Sequence, residues 1–221
     1  IINSTGANSI GYLGIYLQGV SNSVISGNEI GNLNNTAAQV DKGIWLASGT
    51  HSVTVEKNEI YNIGYSGSSG YAGNGIFISS NHLSADILVK NNVIYNIYGD
   101  GWNYTSATDY LDNPAAIILY SSTPQSGINL YNNSINMFGN TLTHKLALSS
   151  GIFLSTGSTA SIRNNSIRNS LGNLSDSAYG SCCIFAQNSA TQFADIDYNN
   201  YYLDPTGNGV SSYGIISAGT S

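Results

Sequence analysis

The stretch GIFISSNHLSADILVKNNVIYNIY, residues 75 to 98, decides how the chain folds. It holds two short strings, Gly75-Ile76-Phe77-Ile78 and Val89-Lys90-Asn91-Asn92-Val93-Ile94-Tyr95-Asn96. Both place apolar side chains at alternate positions, both are rich in β-branched residues, and both are set off by Asn, Ser and Gly. That is the pattern of strands a few residues long joined by tight turns, and the period of two sets helices aside.

The two strings recur along the whole chain. Copies of the first stand at Gly14-Ile15-Tyr16-Leu17, Gly43-Ile44-Trp45-Leu46, Ala116-Ile117-Ile118-Leu119, Gly151-Ile152-Phe153-Leu154, Cys183-Ile184-Phe185-Ala186 and Gly214-Ile215-Ile216-Ser217. Copies of the second run from Ile25 to Asn32, Val55 to Asn62, Leu130 to Met137, Ile162 to Asn169 and, degenerate, Ile196 to Leu203. The first string returns after 29, 32, 41, 35, 32 and 31 residues. Constant strings at variable intervals mean a regular frame carrying loops of different length.

A short strand with one apolar face cannot bury that face alone, but stacked coils can bury it against their neighbours. Stacking makes one interior column of Ile15, Ile44, Ile76, Ile117, Ile152, Ile184 and Ile215. It also aligns Asn28, Asn58, Asn92, Asn133, Asn165 and Asn199 at one bend, where amides ~4.8 Å apart form a hydrogen-bonded ladder. Asn further tolerates the left-handed backbone of a tight bend. The expected fold is all-β: a right-handed parallel β-helix of about six to seven coils with an asparagine ladder, handed as parallel crossovers are. Residues 1–221 read as a single domain, with variable loops on one side.

The strings NNVIYN, NNSIRN and GIFLS resemble those of bacterial right-handed parallel β-helix repeat proteins of the pectate-lyase-like superfamily. The resemblance covers essentially all 221 residues. It implies the fold, but the superfamily spans polysaccharide lyases, glycoside hydrolases, esterases, phage tailspikes and adhesive surface proteins, so it does not imply one activity. The closing segment, Asp197-Tyr-Asn-Asn-Tyr-Tyr through Asp204-Pro-Thr-Gly, resembles repeats of very large bacterial surface proteins, which implies an extracellular, cell-surface address. The first residues lack the basic and apolar blocks of a signal peptide, as expected for a segment of a longer secreted solenoid.

Only 8% of the residues are charged, against roughly 25% in an ordinary soluble domain. Six Lys and Arg within a net charge of −6 exclude a nucleic-acid partner, which would need clustered cations. No apolar run reaches the length of a membrane span. The adjacent Cys182 and Cys183 read as neighbouring buried thiols, with a vicinal disulfide as the alternative.

If the Ile residues point inward, Tyr16, Trp45, Phe77, Ile118, Phe153, Phe185 and Ile216 point outward and form an apolar stripe. Long loops folding back over it, a neighbouring domain, a further copy of the chain, or a glycan stacked on the rings would each cover such a stripe. The longest loop, from Ile97 to Pro114, adds Trp102, Tyr104 and Tyr110 as ligand-binding candidates. Its Asp100, Asp109 and Asp112 are a weak calcium alternative, because the spacing of a calcium loop is missing; no other cofactor is expected.

An enzyme on this fold is expected to set carboxylates and a base on one exposed sheet. The outward positions of the Gly-Ile strands carry none. The strands before the ladder carry one column, Ser26, Glu56, Lys90, Tyr131, Arg163 and Asp197, whose Glu56, Lys90 and Arg163 are the best catalytic candidates, with the Asp-bearing loop from Ile97 to Pro114 as the other place where an enzyme's groups would converge. A solvated column of alternating charge explains the same residues. His51, His82 and His144 read as surface residues of turns, out of register. The expected function is therefore a noncatalytic extracellular module for adhesion, glycan binding or fibre architecture, with a polysaccharide lyase or glycoside hydrolase as the alternative.

Overall fold

A computed structural model describes residues 2, 10–102, 109–144, 146–173, 180–204 and 212–216. The chain winds through three parallel sheets, one strand in each per coil. The first sheet stacks Leu13–Leu17, Asp41–Leu46, Gly73–Ile78, Ala115–Leu119, Ser149–Leu154, Ser181–Ala186 and Ser212–Ile216. The second holds Ser21–Ser26, His51–Glu56, Ser84–Lys90, Gln125–Tyr131, Ser158–Arg163 and Phe193–Asp197. The third holds Glu29–Asn35, Glu59–Tyr65, Val93–Tyr98, Ser134–Leu142, Ser166–Asn173 and Asn200–Leu203. The ladder bend joins the second sheet to the third, and the long loops join the third back to the first.

The interior column forms as the period requires. Ile15 pairs with Ile44, Ile44 with Ile76, Ile76 with Ile117, Ile117 with Ile152 and Ile152 with Ile184. The last rung departs from expectation: Ile184 pairs with Gly214, while Ile215 pairs with Phe185. The seventh Gly-Ile string is thus shifted by one residue and does not extend the isoleucine column. Repetition of the string located the strand but not its register, and the one-residue slip changes which residues stack on the preceding rung.

The small residue before each Ile has a steric cause. A Cβ on Gly14, Gly43, Gly75 or Gly151 would lie 2.5–2.8 Å from the methyl of Ile30, Ile60, Ile94 or Ile167 on the third sheet. The first sheet therefore presses its backbone against those isoleucines. Ala116 and Cys183 occupy the same column fully buried, and the Cys183 thiol reaches the Ile167 carbonyl at 3.6 Å. Cys182 belongs instead to the outer apolar cluster. The two thiols are free and serve opposite faces of one strand, which is why adjacency in sequence does not make them a disulfide.

The ladder is present in full. Asn28 donates both its backbone N–H and its Nδ2 to Asn58 Oδ1, each at 3.0 Å, and the same pair of bonds links Asn58 to Asn92, Asn92 to Asn133, Asn133 to Asn165 and Asn165 to Asn199. The Nδ2 of Asn58, Asn92, Asn133 and Asn165 donates a second time, to the carbonyl of Ile25, Val55, Val89 or Leu130 in the preceding coil, and Asn199 Nδ2 donates to the Ile162 carbonyl.

The left-handed backbone, however, falls one residue earlier than expected, on Gly27, Lys57, Asn91, Asn132, Asn164 and Tyr198. The bend and the ladder are the work of neighbouring residues, so an Asn-Asn pair carries one role on each member. A second, shorter ladder was not anticipated: Asn96 donates to Asn62 at 2.7 Å and Asn62 to Asn32 at 2.9 Å, ending where the next coil carries the buried Met137.

Asn92→Ala strands the N–H and Nδ2 of buried Asn58 and removes both of its own bonds. A loss of about 3 kcal/mol follows, at roughly 1–3 kcal/mol per orphaned buried group, and urea unfolding measures it. Asn28→Ala, at the half-buried end of the ladder, should cost about 1 kcal/mol.

Candidate ligand cleft on the first sheet

The outer face of the first sheet carries the aromatic stripe, divided into two unlike halves. Phe77, Ile118, Phe153 and Phe185 are 0–4% exposed. Tyr110, from the 3-10 turn Asp109–Asp112, lies over them with ring centroids 4.5 Å from Phe153 and 4.6 Å from Phe185. Leu148 completes this outer cluster. The end of the long loop is therefore draped over the stripe, and Tyr110, Phe153 and Phe185 are packing residues in this conformation. Tyr16 remains 46% exposed and meets Trp45 edge to face at 5.0 Å.

Asp100 is buried and accepts hydrogen bonds from the N–H groups of Gly70 and Tyr71, while His144 stands 3.5 Å away. Trp102 packs on Gly70 and meets the His144 ring at 4.8 Å, tilted by 49°. Asn113 ties the loop to the Trp102 carbonyl and the Leu148 N–H. Tyr104 and the Asp109 side chain lie outside the described residues. Among the described residues, no three His, Cys, Asp or Glu are grouped to hold a metal ion, and no helix is long and apolar enough to cross a membrane.

Glu56, Lys90 and Arg163 keep the register expected of them but do not converge. Glu56 pairs with Lys90 at 3.2 Å. Arg163, beyond Tyr131, forms a close ion pair with Asp195. Each cation is matched by its own neighbouring carboxylate. His51 and His82 also differ from expectation: His51 opens a strand, and the two rings stack at 4.5 Å with 8° between planes.

The open half of the stripe forms a cleft of about 370 Å³. Trp45 and Tyr120 supply partly exposed aromatic surface, the buried Phe77 and Asn74 lie beneath it, Leu111 and Asp112 descend from the loop, and Lys42 and Ser79 add polar groups. Trp45 is fixed by its Nε1–H donating to Ser79 Oγ at 2.8 Å. Lys42, only 8% exposed, donates to the Val40 carbonyl at 3.0 Å, with its ammonium 4.8 Å from the Trp45 ring, 5.2 Å from Phe77 and 5.5 Å from Tyr12. Asn74 donates to the carbonyls of Gly73 and Asn113, and its buried Oδ1 has no hydrogen-bond partner.

The charges here are out of their ordinary ranges. Burial lowers Lys42 to about 8, against the opposing pull of Asp41 and Asp112. Burial raises Asp41 to about 7, against its hydrogen bond from Asn35 and the charge of Lys42; its Oδ2 is also unpartnered. Sequence patterning missed this pair because both precede the Gly43 of the repeated string. The one available signal was a lysine, among only six basic residues, placed directly before Gly-Ile-Trp.

Residues 1–145 match the family model for a right-handed β-helix region. The chain belongs to the right-handed β-helix family. No curated protein and no solved structure matches it. Family membership accords with the three stacked sheets and the ladder and leaves the activity open.

Two outcomes are expected of this β-helix. Tyr110→Ala uncovers the Phe153 and Phe185 faces, with a loss of about 3 kcal/mol as for other large-to-small core changes and a rise in binding of a hydrophobic dye. The folded chain holds the Asp41 proton up to about pH 7, the unfolded chain only to about 3.8. Folded protein therefore binds more protons in that interval, and this contribution to stability is lost as the pH rises from about 4 to about 7. Asp41→Asn should flatten that decline in thermal unfolding midpoints.

Proposed function

We propose that this module is an extracellular glycan-binding β-helix whose ligand site is the cleft over Trp45, Phe77 and Tyr120. The observation that carries the reading is the cleft of about 370 Å³ in which Trp45 and Tyr120 stand beside the polar Lys42, Ser79 and Asp112. Flat apolar rings suit the C–H face of a sugar, and polar groups at their edge suit its hydroxyls. Lys42 and Asp112 offset each other across the cleft, which favours an uncharged sugar. The scarcity of charge elsewhere supports a surface-exposed module that binds through stacking and hydroxyl contacts rather than through ionic attraction.

A second reading, polysaccharide cleavage, is favoured by Lys42, because an amine that sheds its proton near pH 8 can act as a general base. The two readings separate in one set of measurements. Glycan-array binding followed by titration should find a ligand whose affinity falls about tenfold in Trp45→Ala or Tyr120→Ala, a loss of about 1.4 kcal/mol. Prolonged incubation should release no new reducing ends or unsaturated products. Product formation that disappears in Lys42→Gln would establish cleavage instead, and absence of any glycan ligand would remove the binding reading.

A further inference from the structure

The bend that leads from the first sheet to the second carries two histidines in successive coils. His51 and His82 stack with ring centroids 4.5 Å apart and 8° between planes. His51 Nδ1 lies 3.2 Å from the Gly49 carbonyl, and His82 Nδ1 lies 2.7 Å from the Ser84 carbonyl. A carbonyl oxygen only accepts, so each Nδ1 carries the ring proton and each Nε2 keeps its lone pair. With Nδ1 held at the backbone, Nε2 lies on the opposite edge of the ring, and both side chains reach the surface, His51 half-buried and His82 exposed. The two turns are also tied together. Asn81, beside His82, accepts from the Ser48 hydroxyl and the Gly49 N–H, each at 3.2 Å, and the Gly49 N–H also reaches the Ser80 carbonyl at 2.8 Å.

We propose that His51 and His82 form a two-imidazole site for a divalent transition-metal ion, copper(II) most tightly. Donation of the second ring N–H to a backbone carbonyl is how proteins orient a metal-binding histidine and raise its basicity, and here both rings have that support before any ion arrives. Two bonds of about 2.0–2.1 Å span at most about 4.2 Å, so the ring tips lean together from the 4.5 Å stack when they share an ion. Rings at the surface do this by small side-chain rotations. Imidazole suits copper, nickel and zinc and not calcium, and copper leads the affinity order. No third His, Cys, Asp or Glu joins the pair among the described residues, so water takes the remaining positions and the ion stays exchangeable. His144 is unlike them, since its Nε2 faces the Asp100 carboxylate at 3.5 Å. Neither His51 nor His82 lines the first-sheet cleft, and the site does not rest on the glycan reading.

The test titrates the full chain with copper(II) by calorimetry and reads the bound ion by electron paramagnetic resonance. One ion should bind per chain with hyperfine coupling to two equatorial nitrogens. His51→Ala and His82→Ala, each checked for folding by circular dichroism, should each weaken binding about tenfold or more and leave coupling to one nitrogen. His144→Ala should change neither reading, and nickel(II) and zinc(II) should bind the same pair more weakly. Coupling to a single nitrogen in the unaltered chain, single variants that bind copper as tightly as it does, or displacement of the ion by excess calcium would overturn the proposal.

Discussion

The amide-to-amide bond between successive coils is the interaction on which the solenoid depends. A buried asparagine offers two donors and an acceptor with two lone pairs, and leaving them unmet in an apolar interior is costly. In the ladder, Asn92 Nδ2 serves Val55 O and Asn133 Oδ1, while its own Oδ1 receives the N–H and Nδ2 of Asn58. No member can be satisfied without an identical neighbour above and below. The bend thereby specifies the stacking register together with the isoleucine columns, whose buried face also resists a one-residue slip.

A frame fixed from inside leaves the outside to vary. The coil length changes from 29 to 41 residues while the isoleucine rungs from Ile15 to Ile184 stay paired, because most of the extra residues sit between the third sheet and the first. One of these insertions makes the first sheet's outer face asymmetric. Its Tyr110 seals Phe153 and Phe185, while its Leu111 and Asp112 reach only the edge of Trp45 and Phe77. The same short 3-10 turn thus closes one half of the stripe and builds a wall of the cleft on the other.

Most of this frame was legible in the sequence. Ile44, Ile76 and Ile117 and the six ladder asparagines repeat, and repetition in a solenoid means contact. What escaped was anything whose position depends on a single coil. Ile215 was displaced because a string can recur while its register slips. Lys57 and Tyr198 take the left-handed conformation expected of Asn, because the bend constrains the residue before the ladder whatever its type. Tyr110 meets Phe153 and Phe185 across more than forty and seventy residues, a contact no periodicity encodes. Lys42 and Asp41 lie just outside the repeated string, so the repeat does not announce their burial.

Burial of Asp41 and Lys42 is an exception to how the solenoid handles most of its charges. Lys90 is paired with Glu56 and Arg163 with Asp195, the buried Asp100 is held by the N–H groups of Gly70 and Tyr71, and the ladder amides are saturated. Here two ionisable groups are desolvated far enough to move toward neutrality, and both Asp41 Oδ2 and Asn74 Oδ1 lack partners. A spacer would lose nothing by carrying an apolar residue at position 42, which would pack on Trp45 and Phe77 without any desolvation penalty. Sequences that are consistent at every level but one tend to break the pattern where they act. The first-sheet cleft is where this solenoid tolerates such a departure, and the lysine held there is the feature that packing alone does not explain.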